Sequence, residues 1–317
     1  MQHNPCSNLL MSQSILHTKT APLVSIAMCT YNGGAYIREQ LDSIINQTYK
    51  HLEIVIVDDV STDNTRQIIN EYIQRDERIK FYQNEINLGF NKNFEKAVVL
   101  TTGEWISIAD QDDIWHLEKI EHMLNNWNGK AEMLYCSSKK FKDGMAINFT
   151  KTTPYTRGLT GEKITELACR NCTEGHTIII HKSLKEKIIP FKNVPYDWWI
   201  GMVASVNGGI QWIDKISVWR RIHENNSYEK MFVPKSSLAA TWAAYLETFI
   251  QIKGMGENDK KFMEHCILLI RQKATAAKWR SFIFKNRNRF FYYKKGFSFF
   301  SKIKGSISLA QKLSSTG

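Results

Sequence analysis

Leu52-Glu53-Ile54-Val55-Ile56-Val57-Asp58-Asp59-Val60-Ser61-Thr62-Asp63 is the stretch on which the fold turns. The run Leu52–Val57 is short, almost wholly apolar and rich in β-branched residues. That composition fits a strand buried on both faces. The run stops abruptly at two acids. Ser61-Thr62-Asp63 then supplies capping side chains for a helix that carries Ile68, Ile69, Tyr72 and Ile73 at helical spacing.

The same unit repeats on either side. Upstream, Leu23–Met28 reads as a buried strand, Asn32-Gly33-Gly34 as a turn, and Tyr36, Ile37, Leu41, Ile44 and Ile45 as a helix face. Downstream, Ile79–Tyr82 is a third strand, and Asn87-Leu88-Gly89 turns into a helix with Phe94, Ala97, Val98 and Leu100. Trp105–Ile108 is a fourth strand and runs into Asp110-Gln111-Asp112-Asp113. Strand and helix thus alternate four times, which predicts an α/β unit with a mostly parallel central sheet. Ligands of such sheets sit beyond the carboxyl ends of the strands. Two of those ends are acidic here, so both would face one crevice.

After about residue 126 the alternation loosens. Leu134-Tyr135-Cys136, Thr177–Ile180 and Ile210–Val218 read as strands, and Tyr196–Val206 reads as a helix. From about Lys235 the pattern is helical, with Leu238, Trp242, Tyr245, Leu246 and Ile250 three and four residues apart.

Composition bounds the class. The 317 residues are 43% hydrophobic and 12% aromatic, ordinary for a packed globular chain and too apolar for a disordered one. Six cysteines are too few for a disulfide scaffold, which implies reduced thiols. No apolar run is long enough for a membrane-spanning helix, and no secretory signal is evident, so the expected compartment is the cytoplasm. Charge is uneven. Residues 271–317 hold 12 of the 42 Lys and Arg and none of the 31 Asp and Glu, which leaves 30 cations against 31 acids in the remainder. The body is therefore nearly neutral, and a nucleic-acid argument from charge survives only for the tail.

The acid run carries the clearest chemistry. Neighbouring carboxylates after a strand suit a hard divalent cation, Mg²⁺ or Mn²⁺, which commonly shares its sphere with substrate phosphate. A solvated acidic loop is the plainer alternative. Cys169-Arg170-Asn171-Cys172 has no second C-x-x-C partner, and His176 and His181 fall on an expected strand, so buried thiols are favoured over zinc or redox chemistry.

Taken together, Val24–Asn32 (VSIAMCTYN), Gln47-Thr48-Tyr49, Ile56–Thr65 (IVDDVSTDNT), Asn87-Leu88-Gly89 with Asn93-Phe94, and Asp110–Trp115 (DQDDIW) resemble the family 2 glycosyltransferases of the GT-A fold. The DQDDIW form is most like rhamnosyltransferase-type members that build bacterial surface polysaccharides. Val60 departs from the family's usual glycine, and Arg220 from its usual tyrosine. The resemblance implies that Thr30 and Tyr31 line the nucleotide pocket, that Asp59 accepts from the N3–H of uracil or thymine, and that Asp110 lies near the ribose. It implies that Asp112 binds the metal, with Asp113 and His223 as further ligands, and that Arg221 covers the donor diphosphate. A carboxylate can only accept, which agrees with a base edge bearing a donor. Asp59 could equally favour the dipole of the helix that follows it.

The resemblance also implies that Asp197, in Pro195-Tyr196-Asp197-Trp198-Trp199, is the general base of an inverting transfer. His176 would approach the acceptor, and Trp198 and Trp199 would wall the site and stack on sugar. The alternative for Asp197 is a helix cap beside two core tryptophans.

The organisation implied is an extension over 1–21, a GT-A domain over 22–228 (donor half 22–125, acceptor half 126–228) and a helical basic region over 229–317. The function implied is sugar transfer from a UDP- or dTDP-linked donor, dTDP-rhamnose among them, to a glycan or lipid-linked acceptor. Ten aromatics among the 12 cations of residues 271–317 leave three partners open: an anionic membrane, single-stranded nucleic acid, or the body itself. A lipid-linked acceptor favours the membrane, with the enzyme peripheral on the inner face. A sugar-phosphate nucleotidyltransferase would need a basic phosphate loop after the first strand, and no Lys or Arg occurs there before Arg38. The near-neutral body argues against nucleic-acid binding as the main role.

Overall fold

The computed structural model describes residues 21–148, 158–224, 238–293 and 299–314. Its eight-stranded sheet has the order β3-β2-β1-β4-β7-β6-β8-β5. The strands are β1 (Val24–Thr30), β2 (Leu52–Asp58), β3 (Ile79–Gln83), β4 (Trp105–Ala109), β5 (Ile114–Trp115), β6 (Met133–Phe141), β7 (Ile178–His181) and β8 (Ile210–Arg221). The helices that alternate with them are α1 (Ile37–Ile45), α2 (Thr65–Ile73), α3 (Phe90–Leu100), α4 (Lys119–Asn125), α5 (Ile164–Cys169), α6 (Lys185–Ile188) and α7 (Tyr196–Val206).

Strands β1 to β4 pair in parallel, and β7 runs antiparallel to both β4 and β6. The period-two geometry of a strand explains the unbroken apolar runs. Val24, Ile26 and Met28 of β1 face α1, α2 and α4, whereas Ala27 and Cys29 face the opposite layer with α3 and α7. Both layers are covered, so neither face of the strand needs polar residues. The strand order reverses where β1 lies between β2 and β4, and such a switch opens a crevice beyond the carboxyl ends.

Two features lie outside the expected pattern. The two-residue strand β5 pairs antiparallel with β8 through Ile114–Trp219 and Trp115–Val218. β8 also continues past Val218 to Arg221, so its end lies beside the acid run. The Gln47-Thr48-Tyr49 motif acts as a staple here. Gln47 Nε2 donates to His116 O at 2.9 Å, Thr48 N–H donates to Leu117 O at 2.9 Å, and Tyr49 Oη donates to Pro22 O.

The C-terminal region is helical: α8 (Leu238–Phe249), α9 (Glu257–Arg271), α10 (Ala276–Lys285), α11 (Arg287–Phe290) and α12 (Phe299–Ser314). It shares one core with the face of the sheet that carries α3 and α7. Leu246, Phe249, Met263, Trp279, Ile283 and Ala310 are all buried in that cluster. Of the three partners open for the tail aromatics, Trp279, Phe290 and Phe291 have the body itself. Among the described residues no helix is long and apolar enough to cross a membrane.

Candidate active site

The crevice is built from strand ends. At the end of β2, Asp58 faces inward: its carboxylate accepts from Thr30 Oγ1 at 2.9 Å and from Ser61 N–H at 2.9 Å. Thr30 is buried, so its side chain braces Asp58. Asp59 turns the other way. Its Oδ1 accepts from Asn84 Nδ2 at 2.7 Å and Leu88 N–H at 2.8 Å, and its Oδ2 accepts from Gly89 N–H at 2.9 Å. Two lone pairs per oxygen leave Oδ2 with room for one further donor, and Oδ1 with none. Asn84 is itself oriented by Lys96 Nζ at 2.8 Å and by Asn93 at 2.9 Å. Sequence reading missed Asn84. Its signal was only a polar residue directly after β3.

At the end of β4 the acid run is a tight turn, so successive side chains diverge. Asp112 meets His223, Nε2 to Oδ2 2.7 Å, and the His223 ring lies 4.5 Å from that of Tyr36. Asp113 points into the protein, where its Oδ1 accepts from Arg221 N–H at 3.1 Å. His176 Nδ1 stands 3.4 Å from Asp110 Oδ2 and 3.6 Å from Asp113 Oδ2, and its Nε2 stands 3.2 Å from Glu174 Oε2. The expected metal set of Asp112, Asp113 and His223 is therefore split. Among the described residues, the group whose ligand atoms all lie within 4.8 Å of one another is Asp110, Asp113 and His176. Carboxylate and imidazole donors fit Mn²⁺ or Mg²⁺, and Asp113 Oδ2 is buried with no hydrogen-bond partner among the described residues.

Burial and crowding of charge set the protonation of this cluster. Burial pushes the Asp113 carboxyl up to about 7, against the pull of His176. Burial also raises Asp112, and the Asp110 charge adds to it. Burial alone would lower His176, but Asp113, Asp110 and Glu174 together hold it well above its usual value. Glu174 is drawn down to about 2 despite its own desolvation, by His176 and by Ser138 Oγ. Beneath the cluster, Lys119 is fully buried. Its Nζ donates to His176 O at 2.8 Å and lies 3.1 Å from the centre of the Trp115 ring.

Asp197 lies in the first turn of α7, half-buried, and its Oδ1 accepts from Trp198 N–H at 2.7 Å. Burial raises its carboxyl to about 7, with the charges of Glu174 and Asp110 adding to the effect. Asp197 thus shares its field with the acid run. Trp199 is buried, with Nε1–H donating to Ile188 O at 2.8 Å. Trp198 donates to Leu167 O at 2.9 Å and packs on Tyr245 and Phe249. Trp199 therefore lies in the core under α7, and Trp198, half-buried, packs against that core.

Arg221 lies at the end of β8, beside the acid run. It is 3% exposed, and its guanidinium donates to Glu39 at 2.9 Å, to Asp112 O at 3.0 Å and to Asp143. It packs over the rings of Tyr36 and Phe141. These contacts make it a clamp that holds the end of β8 to α1 and to the acid run. Tyr31, by contrast, stands at the rim with half its surface exposed.

A mixed α/β sheet whose parallel strands β1 to β4 meet at a switch point, with Asp59 just beyond the end of β2 and Asp110 and Asp112 beyond that of β4, has the GT-A architecture. The chain belongs to glycosyl transferase family 2, whose profile matches residues 25–186, more than half of it. An uncharacterized glycosyltransferase of Haemophilus influenzae is 39% identical over 115 residues, 33% of this chain and 36% of that one. The Bacillus subtilis protein TuaG, named for teichuronic acid biosynthesis, is 38% identical over 107 residues, 34% of this chain and 42% of TuaG. These matches thus span well under half the length of either relative. A solved structure of S. aureus TarS residues 1–349 with UDP-GlcNAc superposes with a TM-score of 0.61 at 19% identity, covering 92% of this chain and 88% of that one. A mannosyltransferase of Pyrobaculum calidifontis in complex with GDP-Man and Mn²⁺ gives 0.60 at 14% identity, covering 94% and 86%.

Proposed function

We propose that the chain is an inverting glycosyltransferase that moves a sugar from a UDP- or dTDP-linked donor to a glycan or lipid-linked acceptor in cell-surface polysaccharide synthesis. The observation that carries this reading is the shared crevice: Asp197, with its carboxyl near 7, lies within the field of the Asp110 carboxylate at the strand switch point. The acceptor hydroxyl oxygen attacks the anomeric carbon while Asp197 takes its proton, and the bond from that carbon to the diphosphate oxygen breaks. The nucleoside diphosphate leaves with the electron pair. A divalent cation held by Asp110, Asp113 and His176, the group whose ligand atoms converge, would offset the charge on that leaving group.

The free lone pair on Asp59 Oδ2 supports a pyrimidine donor base whose ring N3 bears a proton, as in uracil and thymine and unlike cytosine. TuaG's name and the UDP-GlcNAc in the TarS structure support the polysaccharide setting and a UDP-linked donor; Mn²⁺ in the mannosyltransferase structure supports the metal. dTDP-rhamnose rests on the DQDDIW form alone. Exposed Lys273, Lys278, Arg280 and Lys285 support peripheral contact with an anionic membrane on the cytoplasmic side. Calorimetric titration with UDP, dTDP, CDP and GDP in Mn²⁺ tests the donor reading. UDP or dTDP should bind at least tenfold more tightly than CDP, and equal affinity for all four would reject it.

A further inference from the structure

We propose that Gln111 is a positioning residue for the donor nucleotide, setting Tyr31 and its loop against the acid run, and that Gly33 is glycine to leave room for it. This rests on the donor-site reading above. β1 ends at Thr30, so the backbone of Tyr31 lies beyond the sheet. Gln111 satisfies both of its backbone groups. Gln111 Oε1 accepts from Tyr31 N–H at 2.8 Å, and Gln111 Nε2 donates to Tyr31 O at 3.0 Å. A primary amide can do both at once, its oxygen accepting and its NH₂ donating in one plane. The far side of the same loop is tied to the turn after β2: Asn32 N–H donates to Ser61 Oγ at 2.9 Å, and Asn32 Oδ1 accepts from Thr62 N–H at 2.8 Å. Gln111 therefore supplies the bond between this loop and the turn that carries Asp110, Asp112 and Asp113.

Gly33 gives an independent sign of the same device. Its φ lies outside the left-handed region, so backbone freedom does not require a glycine there. A Cβ at Gly33 would instead stand 2.2 Å from Gln111 Oε1 and 2.4 Å from Gln111 Cδ. The obstructed atoms are the far end of a flexible side chain, which can swing aside and keep the fold intact. The backbone hydrogen bonds to Tyr31 would then be lost. Gly33→Ala and Gln111→Met should consequently produce one defect by two routes.

The test is calorimetry of UDP and dTDP in Mn²⁺ on the full chain, beside thermal melting, for wild type, Gln111→Met, Gly33→Ala and the double variant. Each single variant should bind the preferred nucleotide about three- to tenfold more weakly, the loss of an exposed pair of hydrogen bonds. Melting temperature should stay within about 2 °C. The double variant should bind no worse than the weaker single, because both changes remove the same clamp. Singles within twofold of wild type, or losses that add in the double, would overturn the proposal. Should Gly33→Ala fail to fold, Gln111→Met decides it alone. If wild type itself binds neither nucleotide, the donor reading falls and takes this inference with it. If wild type binds and the variants match it, only this inference falls.

Discussion

Val60 occupies the left-handed region of backbone space at φ 66°, a costly place for a β-branched residue. It is also the position at which the sequence departs from the family's usual glycine. Val60→Gly should relieve the strain and stabilise the fold by roughly 1 kcal/mol after the entropic cost of glycine. A urea midpoint no higher than that of wild type would contradict this. Asp197 supplies a second test at this scale. A base must be ionised to accept a proton, so with its carboxyl near 7 the transfer rate should rise with pH and level off above about 7. The stability consequence has the opposite slope. Between about pH 4 and 7 the unfolded chain has ionised this carboxyl and the folded chain has not. Folding therefore takes up a proton, and stability falls as pH rises through that window. Asp197→Asn should remove that part of the decline, read as urea midpoints of the two proteins at pH 5 and pH 8.

The short 3₁₀ turn Gly175–Thr177 and α7 meet at one close contact. A Cβ on Gly175 would stand 2.0 Å from Tyr196 Oη and 2.7 Å from Cζ. The Tyr196 ring cannot yield easily, being buried against Phe94 at 4.4 Å between centroids. Gly175→Ala should therefore cost about 1–3 kcal/mol and displace His176. Adding Tyr196→Phe should recover part of the stability, and no recovery would place the strain elsewhere. This contact also marks the limit of what sequence conveys. Strands β1 to β4 were legible because burial on both faces writes a continuous apolar run. β5 is two residues long, and its existence depends on pairing with β8 more than 100 residues later. The acidity of Asp110–Asp113 was legible, but not its division. Which carboxylate meets His223 and which meets His176 is decided by a turn and two distant loops. Tyr36 and Phe141 around Arg221 were equally invisible, because the contacts of a cation depend on what the fold brings to it.

At the scale of the molecule, the C-terminal helices complete the core and present cations outward. Trp279 and Ile283 of α10 are fully buried against the body, whereas Lys278, Arg280 and Lys285 on the same helix are exposed. A chain ending before Arg271 should melt well below the full chain or aggregate, since it uncovers this apolar surface. Charge reversal at Lys278, Arg280 and Lys285 is the cleaner probe of a membrane role. It should leave melting nearly unchanged and abolish flotation with anionic vesicles at low salt. Undiminished flotation would reject that face. The central claim joins both halves of the crevice, a donor site at the strand ends and a base on α7. The most direct measurement of it is turnover of the preferred nucleotide sugar by wild type and Asp197→Asn, with nucleotide affinity and melting taken on the same preparations. The account predicts a loss of about 10²–10⁴ in turnover with affinity held and melting not lowered, whereas turnover near the wild-type rate would contradict it.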